Sequence, residues 1–531
     1  DAVALEGSFN VTLADGSRVE CKPAWQMWLD RVDKYTPELA ERITWVPRER
    51  VIEAAHIWGT HRPAVMARGV APEQSGRTCS SIEVCRIMMH TLNGSIDVEG
   101  GDVLTVPGPH GPNGELFIRE QMLQAEEAIS QEQKRKQIGC GTHKVQTWTA
   151  YDVSNPHYKR RWGIAQPMAG HMMQIPPHAL PRQILSQDPY PIKAVISFAS
   201  NAFLWMPNTK LVHKAVKSPN LELHVVLEHW MTPTAQLADY VLPMASKVYE
   251  RPYCGTMEDF TSLLTVWDQA VPPLGERRTE YDFFRGLALR LGLGEYFPWE
   301  TLRESMEHRL KPLGLTFEEA AKRRVIFDQF KPRTYEETNP KTSKPLGFGT
   351  PSGRAELYSS VYEALGYDPL PFYEEPAESP LSTPMLAKEY PLILTTGGRF
   401  RPQFHSENRQ LGLGLREMNP YPQCDIHYQT ARELSISNGD WVWIETRRGR
   451  IKQKARVTAN ILPGVVNVQH NWWYPELPGE EPWLHGGWIS NANVLTSDEP
   501  ETLDPMIGAW FYRGLLCRAY RADGGPPVPG P

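Results

Sequence analysis

Short apolar runs that alternate with helical segments are the feature that most restricts how this chain can fold. The runs Ala194–Phe198 and 223–227 are rich in β-branched and leucine side chains, and residues 209–217 between them have helical periodicity. A third run at 240–242 precedes a predicted helix over 280–291. A strand–helix–strand order indicates a parallel sheet, because parallel neighbours need a crossover connection. We therefore expect an α/β domain in which 194–198 is a buried strand.

The length of the chain requires more than one such domain. The chain has 531 residues, whereas single hydrophobic cores stop growing at roughly 250–300 residues. The sequence predicts four parts. They are residues 1–104, the C-terminal part of an α/β domain whose start is missing; 105–384, a second α/β domain with long loops and connecting segments; 385–523, a β-barrel domain; and 524–531, a tail.

Composition excludes several classes of partner. Hydrophobic residues make up 41%, charged residues 22%, and the net charge is −6, which gives no reason to expect nucleic acid or an anionic membrane surface. No apolar run is long enough for a membrane helix, so direct membrane insertion is not expected. The opening residues resemble neither a start methionine nor a signal peptide. We expect the sequence to begin within a longer protein, and no compartment is indicated.

Local patterns predict several elements outside the α/β core. Asp15-Gly16 indicates a hairpin turn within residues 1–22, helical periodicity covers 23–60, residues 64–67 suit a buried strand, and a helix is expected over 80–92. The seven cysteines are scattered and form no C-x-x-C pair. They predict small buried residues, and neither a disulfide framework nor a zinc or iron–sulfur site.

Two stretches are poor in periodicity. Residues 105–190 are rich in Pro, Gly, His, Gln and Met, and predict long ordered loops over a site, with a short helix near 118–132. Residues 296–384 predict mainly connecting segments. Four side chains of the first stretch either pack or line a substrate funnel, and the sequence leaves both open: Met168, His171, Met172 and Met173.

From Tyr390 onward, the sequence pattern changes to short predicted strands separated by turn residues. Strands are predicted near 392–396, 441–446, 451–457 and 465–470, with turns at Asn438-Gly439 and Arg448-Gly449. Many short strands with such turns are typical of a closed β-structure. The sequence predicts a barrel of six or seven strands over about 385–520, with strands throughout 441–468.

Polar side chains follow the first two predicted strands. Asn201 comes after the first, and Glu228, His229, Thr232 and Thr234 come after the second. Because carboxyl ends of parallel strands meet at one edge, these residues should lie together, where open α/β sheets bind ligands. A carboxylate there suits ribose hydroxyls, and threonine hydroxyls suit phosphate oxygens. The alternative is that Asn201 and Thr232 only cap their helices.

Several motifs, in one order along the chain, resemble the dimethyl sulfoxide reductase family of molybdopterin oxidoreductases. Residues 232–243 are similar to its T-x-T-A-x-x-A-D-x-V-L-P run. Residues 92–101 are similar to L-x-G-N-I-D-x-P-G-G, with Ser95 where Asn is usual and Glu99 where Pro is usual. The acetylene hydratase branch is the closest in appearance. Further matches lie at 349–358, 396–399, 438–442, 448–451, 463–466 and 491–496.

This resemblance implies two molybdopterin guanine dinucleotides carrying Mo or W, held between α/β domains and a C-terminal double-psi-like β-barrel. Arginine binds phosphate bidentately, and Asn amides match the edges of guanine and pterin. No zinc site is expected, and His470, Trp472 and Trp473 should pack the barrel wall. Beyond the sheet-edge residues, the implied cofactor contacts are Asp239, Thr396, Gly398, Arg399, His405, Ser406, Asn491, Asn493 and Arg513.

The resemblance also sets the expected function. In the family, the [4Fe–4S] cysteines and the metal ligand precede the part matched here, so both are expected upstream of Asp1. The expected partners are that N-terminal portion, an iron–sulfur electron-transfer subunit and a small-molecule substrate. The expected activity is oxygen or hydroxyl transfer by an oxidoreductase. The alternatives are a redox-neutral hydratase, lyase or hydroxyltransferase, and a non-catalytic cofactor-binding fragment.

Overall fold

The computed structural model describes residues 5–67, 76–104, 119–163, 176, 178–257, 260–327, 331–339, 342–398 and 414–526. Within these ranges the strands form a hairpin, a three-stranded parallel sheet, a three-stranded antiparallel sheet and a closed six-stranded barrel. The predicted class, α/β with a C-terminal barrel, is confirmed. None of the helices in the described ranges is long and apolar enough to span a bilayer.

The N-terminal segment is a hairpin followed by helices. The predicted turn is confirmed, since Gly16 has a φ of 84° between two antiparallel strands. The predicted strand at 64–67 is wrong. There the Ala64 N–H donates to Ser95 Oγ (3.0 Å) and the Met66 N–H to His90 Nε2 (3.1 Å), so side chains satisfy this backbone. The elements are β1 (Phe9–Thr12), β2 (Arg18–Cys21), α1 (Ala24–Val32), α2 (Pro37–Thr44), α3 (Arg48–Thr60) and α4 (Cys79–Asn93).

The expectation of mostly loops over 105–190 is wrong for the described residues there. Helices occupy much of that stretch, and the longest contains Pro156 and several aromatic residues, which weaken its apolar periodicity. Its buried Trp148 and Tyr151 contact each other edge to face. The four His and Met candidates at 168–173 lie outside the described residues. The helices are α5 (Arg119–Glu127), α6 (Gln131–Arg135), α7 (Trp148–Trp162) and α8 (Ala179–Ser186).

The parallel sheet follows the prediction in order and direction. Its strands pair in the order β3-β4-β5, and the middle strand is buried from His224 to Glu228. The prediction that the first strand is buried is wrong. One face of this strand is exposed at Ile196 and Phe198 and the other is half-buried, because an edge strand has a neighbouring strand on one side only. The elements are β3 (Ala194–Phe198), α9 (Ala202–Trp205), α10 (Thr209–Val216), β4 (Leu223–Glu228), α11 (Pro233–Gln236) and β5 (Tyr240–Pro243).

A second, antiparallel sheet has its own core, so part of 296–384 is more than a connection. Leu264 and Val266 pack against Met306, Leu310 and Phe317. The elements are β6 (Tyr253–Met257), β7 (Phe260–Trp267), α12 (Glu280–Arg290), α13 (Leu302–Leu310), α14 (Phe317–Arg323) and β8 (Val325–Phe327), then α15 (Ser360–Leu365) and α16 (Pro384–Glu389).

The C-terminal strands close into a barrel in the order β10-β12-β11-β14-β9-β13, which confirms the predicted architecture with six strands. Two pairs are parallel, β10 with β12 and β9 with β13. Alternate side chains such as Val442 and Ile444 are fully buried inside. The elements are β9 (Leu392–Gly398), α17 (Leu415–Met418), β10 (Gln423–His427), α18 (Tyr428–Glu433), β11 (Trp441–Thr446), β12 (Gly449–Thr458), β13 (Val465–Gln469), α19 (Gly487–Ser490) and β14 (Arg513–Arg521).

Candidate functional site

The carboxyl edge of the parallel sheet gathers the predicted polar residues. Phe198 at the end of β3 pairs with Leu227, and Glu228 is the last residue of β4. Immediately after β3, Ala199 has a φ of 46°, and its N–H donates to the Leu227 carbonyl (3.0 Å). A non-glycine residue in this left-handed region is strained, and such strain concentrates at functional sites. The prediction that Asn201, Glu228 and Thr232 follow one sheet edge is confirmed.

Asn201 and Thr234 are joined across this edge. Asn201 Oδ1 accepts from Thr234 Oγ1 (2.7 Å) and from the Thr234 N–H (3.4 Å), and both side chains are buried. Thr234 Oγ1 in turn accepts from the Phe203 N–H (3.0 Å). Asn201 Nδ2 is buried and has no hydrogen-bond partner among the described residues. An unpaired buried donor costs about 1–3 kcal/mol, so this amide is suited to a bound acceptor.

Of its two predicted roles, ligand binding and helix capping, Thr232 has the capping role in the structure. Its Oγ1 accepts from the Ala235 N–H (3.2 Å) and caps the short helix α11. Asn201 also precedes a helix, but its side chain makes no such cap. The capping alternative therefore holds for Thr232 and not for Asn201.

Glu228 and His229 end the central strand. Glu228 is 4% exposed, and its Oε1 accepts from the His229 N–H (2.7 Å). His229 Nδ1 lies 3.1 Å from the Met244 carbonyl. Burial lowers the pKa of His229, and the neighbouring Arg277 acts in the same direction. At neutral pH this edge therefore presents a neutral imidazole beside a buried acidic side chain.

An ion-pair cluster beside His229 was not foreseen from the sequence. Glu250 is 3% exposed, and its Oε1 is 2.8 Å from Arg277 Nη1. Arg251 Nη2 is 2.6 Å from Glu280 Oε1. The only signal was the adjacent opposite charges at 250–251, a pattern that usually lies in solvent. These largely buried ion pairs hold together the segments around residues 250 and 280, next to His229.

Asp239 lies away from these residues. It directly precedes β5, whose first residue pairs with Val225 at the beginning of β4. Its Oδ2 accepts from the His224 N–H (2.7 Å). Since parallel strands begin at the opposite edge from where they end, Asp239 lies at the other edge of the sheet from Asn201 and Glu228, and its implied cofactor contact stays a prediction. The carboxylate holds the start of the sheet.

The barrel residues form a second polar group. The Thr396 hydroxyl donates to the Tyr512 carbonyl (2.8 Å). A Cβ at Gly397 would lie 2.7 Å from Arg513 Nη2, and one at Gly398 would lie 2.8 Å from the Val468 carbonyl. Glycine is therefore required at Gly398, where backbone blocks the Cβ, whereas the flexible Arg513 guanidinium could move away from a Cβ at Gly397. Of the other implied contacts, Arg399, His405 and Ser406 lie outside the described residues.

Arg513 borders a cavity of about 370 Å³ at the barrel surface. The cavity is also lined by Thr395, Asp425 and Asn467, which hydrogen-bond to one another in sequence. Within the described part of the chain, no carboxylate pairs with the Arg513 guanidinium, whereas Asp425 is paired with Arg456. Arg513 is thus available to an anionic group.

Asn491 and Asn493 connect the barrel to the α/β body. Asn491 Nδ2 donates to Thr209 Oγ1 (3.0 Å), and Asn493 Nδ2 donates to the carbonyls of Leu204 (2.7 Å) and Trp205 (2.9 Å). Their side-chain oxygens accept within their own loop. These amides are occupied by the protein, so their evident role is to dock the barrel onto α9 and α10.

A buried contact between two glutamines inside the barrel was not foreseen from the sequence. Gln453 Nε2 donates to the carbonyls of Gln469 (2.8 Å) and Ser490 (3.3 Å). Gln469 pairs with Gly398 in the β13–β9 ladder. The loop that starts at Ser490 is therefore tied to the end of β9 through the barrel interior.

The remaining sequence candidates mostly pack. Trp472 and Trp473 are fully buried, but Trp473 packs against Phe203 and Leu204 of the α/β body and Trp472 against Tyr474, rather than in the barrel wall as predicted. His470 Nδ1 lies 3.1 Å from the Gly398 carbonyl. Four of the seven cysteines are buried, but Cys21 is exposed, so the expectation of burial is wrong for that residue. Over the described ranges, no three His, Cys, Asp or Glu side chains are grouped to hold a metal ion.

The two polar groups each suit a part of a polar, phosphate-bearing ligand. An unpaired buried amide and a buried acidic side chain lie at the sheet edge, and an arginine without a carboxylate partner among the described residues lies on the barrel. These groups match the heterocycle, ribose and phosphate of a dinucleotide.

Comparison with known proteins agrees with this geometry. A family model for molybdopterin oxidoreductase matches residues 138–290, and a model for the molydopterin dinucleotide binding domain matches residues 392–512. Acetylene hydratase of Syntrophotalea acetylenica is 34% identical over 93% of this chain and 65% of its own length. Dopamine dehydroxylase of Eggerthella lenta is 27% identical over 98% of this chain and 55% of its own length.

A solved structure is similar over the same span. The acetylene hydratase from Pelobacter acetylenicus superimposes with a TM-score of 0.83 at 32% identity, covering 93% of this chain and 66% of that one. The chain thus spans about 55 to 66% of the length of these relatives. The two matched domains and the similarity along nearly the whole chain show that it belongs to the molybdopterin oxidoreductase family.

Proposed function

We propose that this chain is part of the catalytic subunit of an enzyme that carries Mo or W on two molybdopterin guanine dinucleotides. The observation that carries the proposal is the buried, unpartnered Nδ2 of Asn201 at the sheet edge. The family's dinucleotide domain in the barrel supports it independently. When bound, the metal–pterin group supplies a centre that exchanges oxygen, hydroxyl or water with a small substrate.

The residues of this chain would bind and orient that cofactor. Asn201 Nδ2 would donate to an acceptor of the ligand, and Glu228 would accept from ribose hydroxyls. Arg513 would bind a phosphate at the cavity that it lines. Thr234 would act indirectly, because it fixes the Asn201 side chain through a 2.7 Å hydrogen bond.

Replacing Asn201 by Asp tests the binding role. This change keeps Oδ1 as the acceptor for Thr234 and replaces the unpartnered donors by a carboxyl oxygen. Because it also places an acidic group in a buried site, the melting temperature should fall together with cofactor retention. In the complete protein we expect pterin content to fall about tenfold, since a lost hydrogen bond inside a buried site costs about 1–3 kcal/mol. The measurement is pterin released per protein, beside the melting temperature.

Asp239→Asn is the matched control, because it makes the reverse change at the opposite edge of the same sheet. It should leave pterin content unchanged, since the amide oxygen still accepts from the His224 N–H. Normal pterin content in Asn201→Asp, with a lowered melting temperature, would assign Asn201 a purely structural role.

For the reaction itself, we propose oxygen or hydroxyl transfer with a change of metal oxidation state, assisted by an iron–sulfur electron-transfer subunit. The second candidate is redox-neutral hydration, and the 34% identity with acetylene hydratase over 93% of the chain favours it. Turnover that requires an external electron donor or acceptor would support the first. Conversion of acetylene to a hydrated product without net electron transfer would support the second.

A further inference from the structure

An apolar cavity lies inside the α/β body beside the sheet-edge network, since Thr234 is one of its lining residues. It has a volume of about 320 Å³ and lies between the parallel sheet and the helices α8 and α10. Its wall is mainly aliphatic. Its lining includes Leu180, Ile184, Val212 and Ala215, together with the exposed Ile196 and Phe198, so the cavity is partly open to solvent.

The polar side chains in this wall are already paired. Ser197 Oγ and His224 Nε2 lie 3.2 Å apart. Ser200 Oγ accepts from Trp205 Nε1 (3.0 Å). Thr234 Oγ1 both donates and accepts within the sheet-edge network. These groups therefore offer little hydrogen bonding to a molecule in the cavity.

The cavity is consequently a poor site for water or ions. Among the described residues that line it, His224 Nδ1 is the one buried side-chain nitrogen or oxygen without a partner. A buried water needs two to four polar partners. Burial also lowers the pKa of His224, so the ring is neutral at pH 7 and does not attract anions. Because the cavity is partly open, water enters it but makes few hydrogen bonds to the wall, and an apolar molecule that replaces this water gains dispersion contacts.

We propose that this cavity is a binding site for small, uncharged, apolar molecules of up to about the size of benzene. An apolar cavity of roughly 150 Å³ is enough to stay dry and to bind benzene or xenon, and this one is larger. The site is independent of the proposed cofactor role, although Thr234 lies in the wall of the cavity and also bonds Asn201.

Thermal unfolding of the full chain with benzene and with benzoate tests the proposal. The two probes have the same ring and differ in charge. Benzene near saturation should raise the melting temperature by about 2 °C, because a ligand that binds only the folded state stabilises it. Benzoate at the same concentration should cause no rise. No shift with benzene, or an equal shift with benzoate, would overturn the proposal.

Two further experiments test where the ligand binds: xenon bound in crystals, and a substitution that fills the cavity. Xenon-pressurised crystals of the unmodified protein should show xenon between α10 and β3, and its absence there would overturn the proposal even if variants fail to fold. Ala215→Leu places a larger side chain in the cavity. It should abolish the benzene-induced rise, whereas Ala320→Val, in the separate core of the antiparallel sheet, should retain it. A benzene-induced rise that persists in Ala215→Leu would place the binding elsewhere.

Discussion

The barrel and the N-terminal segment 5–67 both contain strands with alternating apolar side chains, yet they bury them very differently. In the barrel, Leu394, Val442 and Ile444 are completely buried. In the hairpin, the corresponding Phe9 and Val11 are 42% and 41% exposed. Within residues 5–67, Trp28 is the one side chain in the buried class.

The difference shows that alternation selects a face but does not bury it. In the barrel, six strands close on each other, so each inward face meets another inward face. The hairpin has two strands and no second layer among the described residues. Its apolar face therefore contributes little, because hydrophobic stabilisation scales with the area removed from water.

The largest expected difference is in core truncation. Leu394→Ala should lower the free energy of unfolding of the barrel by about 3 kcal/mol or more, because it leaves a cavity in a closed core. Ile57→Ala, on the exposed face of α3, should change it by about 0.5 kcal/mol or less. Urea unfolding of both variants measures this. Similar losses would mean that α3 is covered in the intact protein.

Removing an ion pair should also lower the free energy of unfolding more near the barrel than in the N-terminal segment, but by less than core truncation does. Glu378 is buried and bonds Arg447 Nε (2.8 Å) and Arg448 Nη1 (3.1 Å). Its removal in Glu378→Ala leaves Arg447 and Arg448 with Glu499 as their shared carboxylate partner, and should cost about 2 kcal/mol, since hydrogen bonds to charged groups are lost from a buried site. Glu53→Ala breaks the exposed pair with Arg50 and should cost about 0.5 kcal/mol or less. Equal costs in denaturant unfolding would remove this distinction.

Acid stability should depend on a buried histidine rather than on an exposed one. Burial lowers the pKa of His178 to about 4, while the unfolded chain takes up this proton near pH 6.5. Stability from this group is therefore present above about pH 6.5 and lost as pH falls towards 4. Between pH 7 and 5 the loss should be about 2 kcal/mol.

His178→Gln should flatten the pH dependence of unfolding over that window, whatever its effect at pH 7. His56→Gln, on the exposed surface of α3, provides the control and should leave the slope unchanged. An unaltered slope in His178→Gln would show that other groups cause the acid sensitivity.

The smallest effects should come from two glycines of the N-terminal segment, with opposite signs. Gly16 has a φ of 84°, so Gly16→Ala should weaken the hairpin by about 1 kcal/mol. Gly59 lies within α3, and a Cβ there would contact nothing within 4 Å. Gly59→Ala should therefore strengthen that helix by up to about 1 kcal/mol. Amide hydrogen exchange measures each element, and the barrel amides should be unaffected by both.

The predictions that succeeded rest on local rules. Turn residues and period-two patterns located the hairpin at Gly16 and the barrel strands near 441–468. The order of strands and helices predicted the parallel sheet and therefore which edge carries Asn201 and Glu228. Each of these follows from backbone geometry that neighbouring residues determine.

The predictions that failed depend on distant parts of the chain. The apolar run 64–67 is no strand, because the side chains of Ser95 and His90 satisfy its backbone. The helix Trp148–Trp162 was missed because its buried residues are large aromatics beside charges, and only packing decides which of them face inward. Ile196 is exposed because β3 became an edge strand.

In the candidate site, too, the features set by local sequence were predicted and those set by distant contacts were not. Sequence position placed Asn201, Glu228 and Thr234 at one edge, and the motif resemblance correctly indicated the family. The cofactor contacts themselves stay predictions. Asn491 and Asn493 match the motif, but their amides bond the carbonyls and hydroxyl of the α/β body. No single-sequence pattern distinguishes an amide that binds a ligand from one that docks a domain.

What the sequence determined by itself is the set of elements, the direction of the parallel strands and the identity of the family. These follow from short-range patterns, which constrain φ and ψ and the face that each side chain occupies. Only the tertiary structure decided which apolar faces are buried, which polar atoms remain unpaired and that the 320 Å³ cavity exists. Burial and hydrogen bonding are properties of pairs of surfaces, and the partner surface often lies hundreds of residues away, as it does for Asn493 and Leu204.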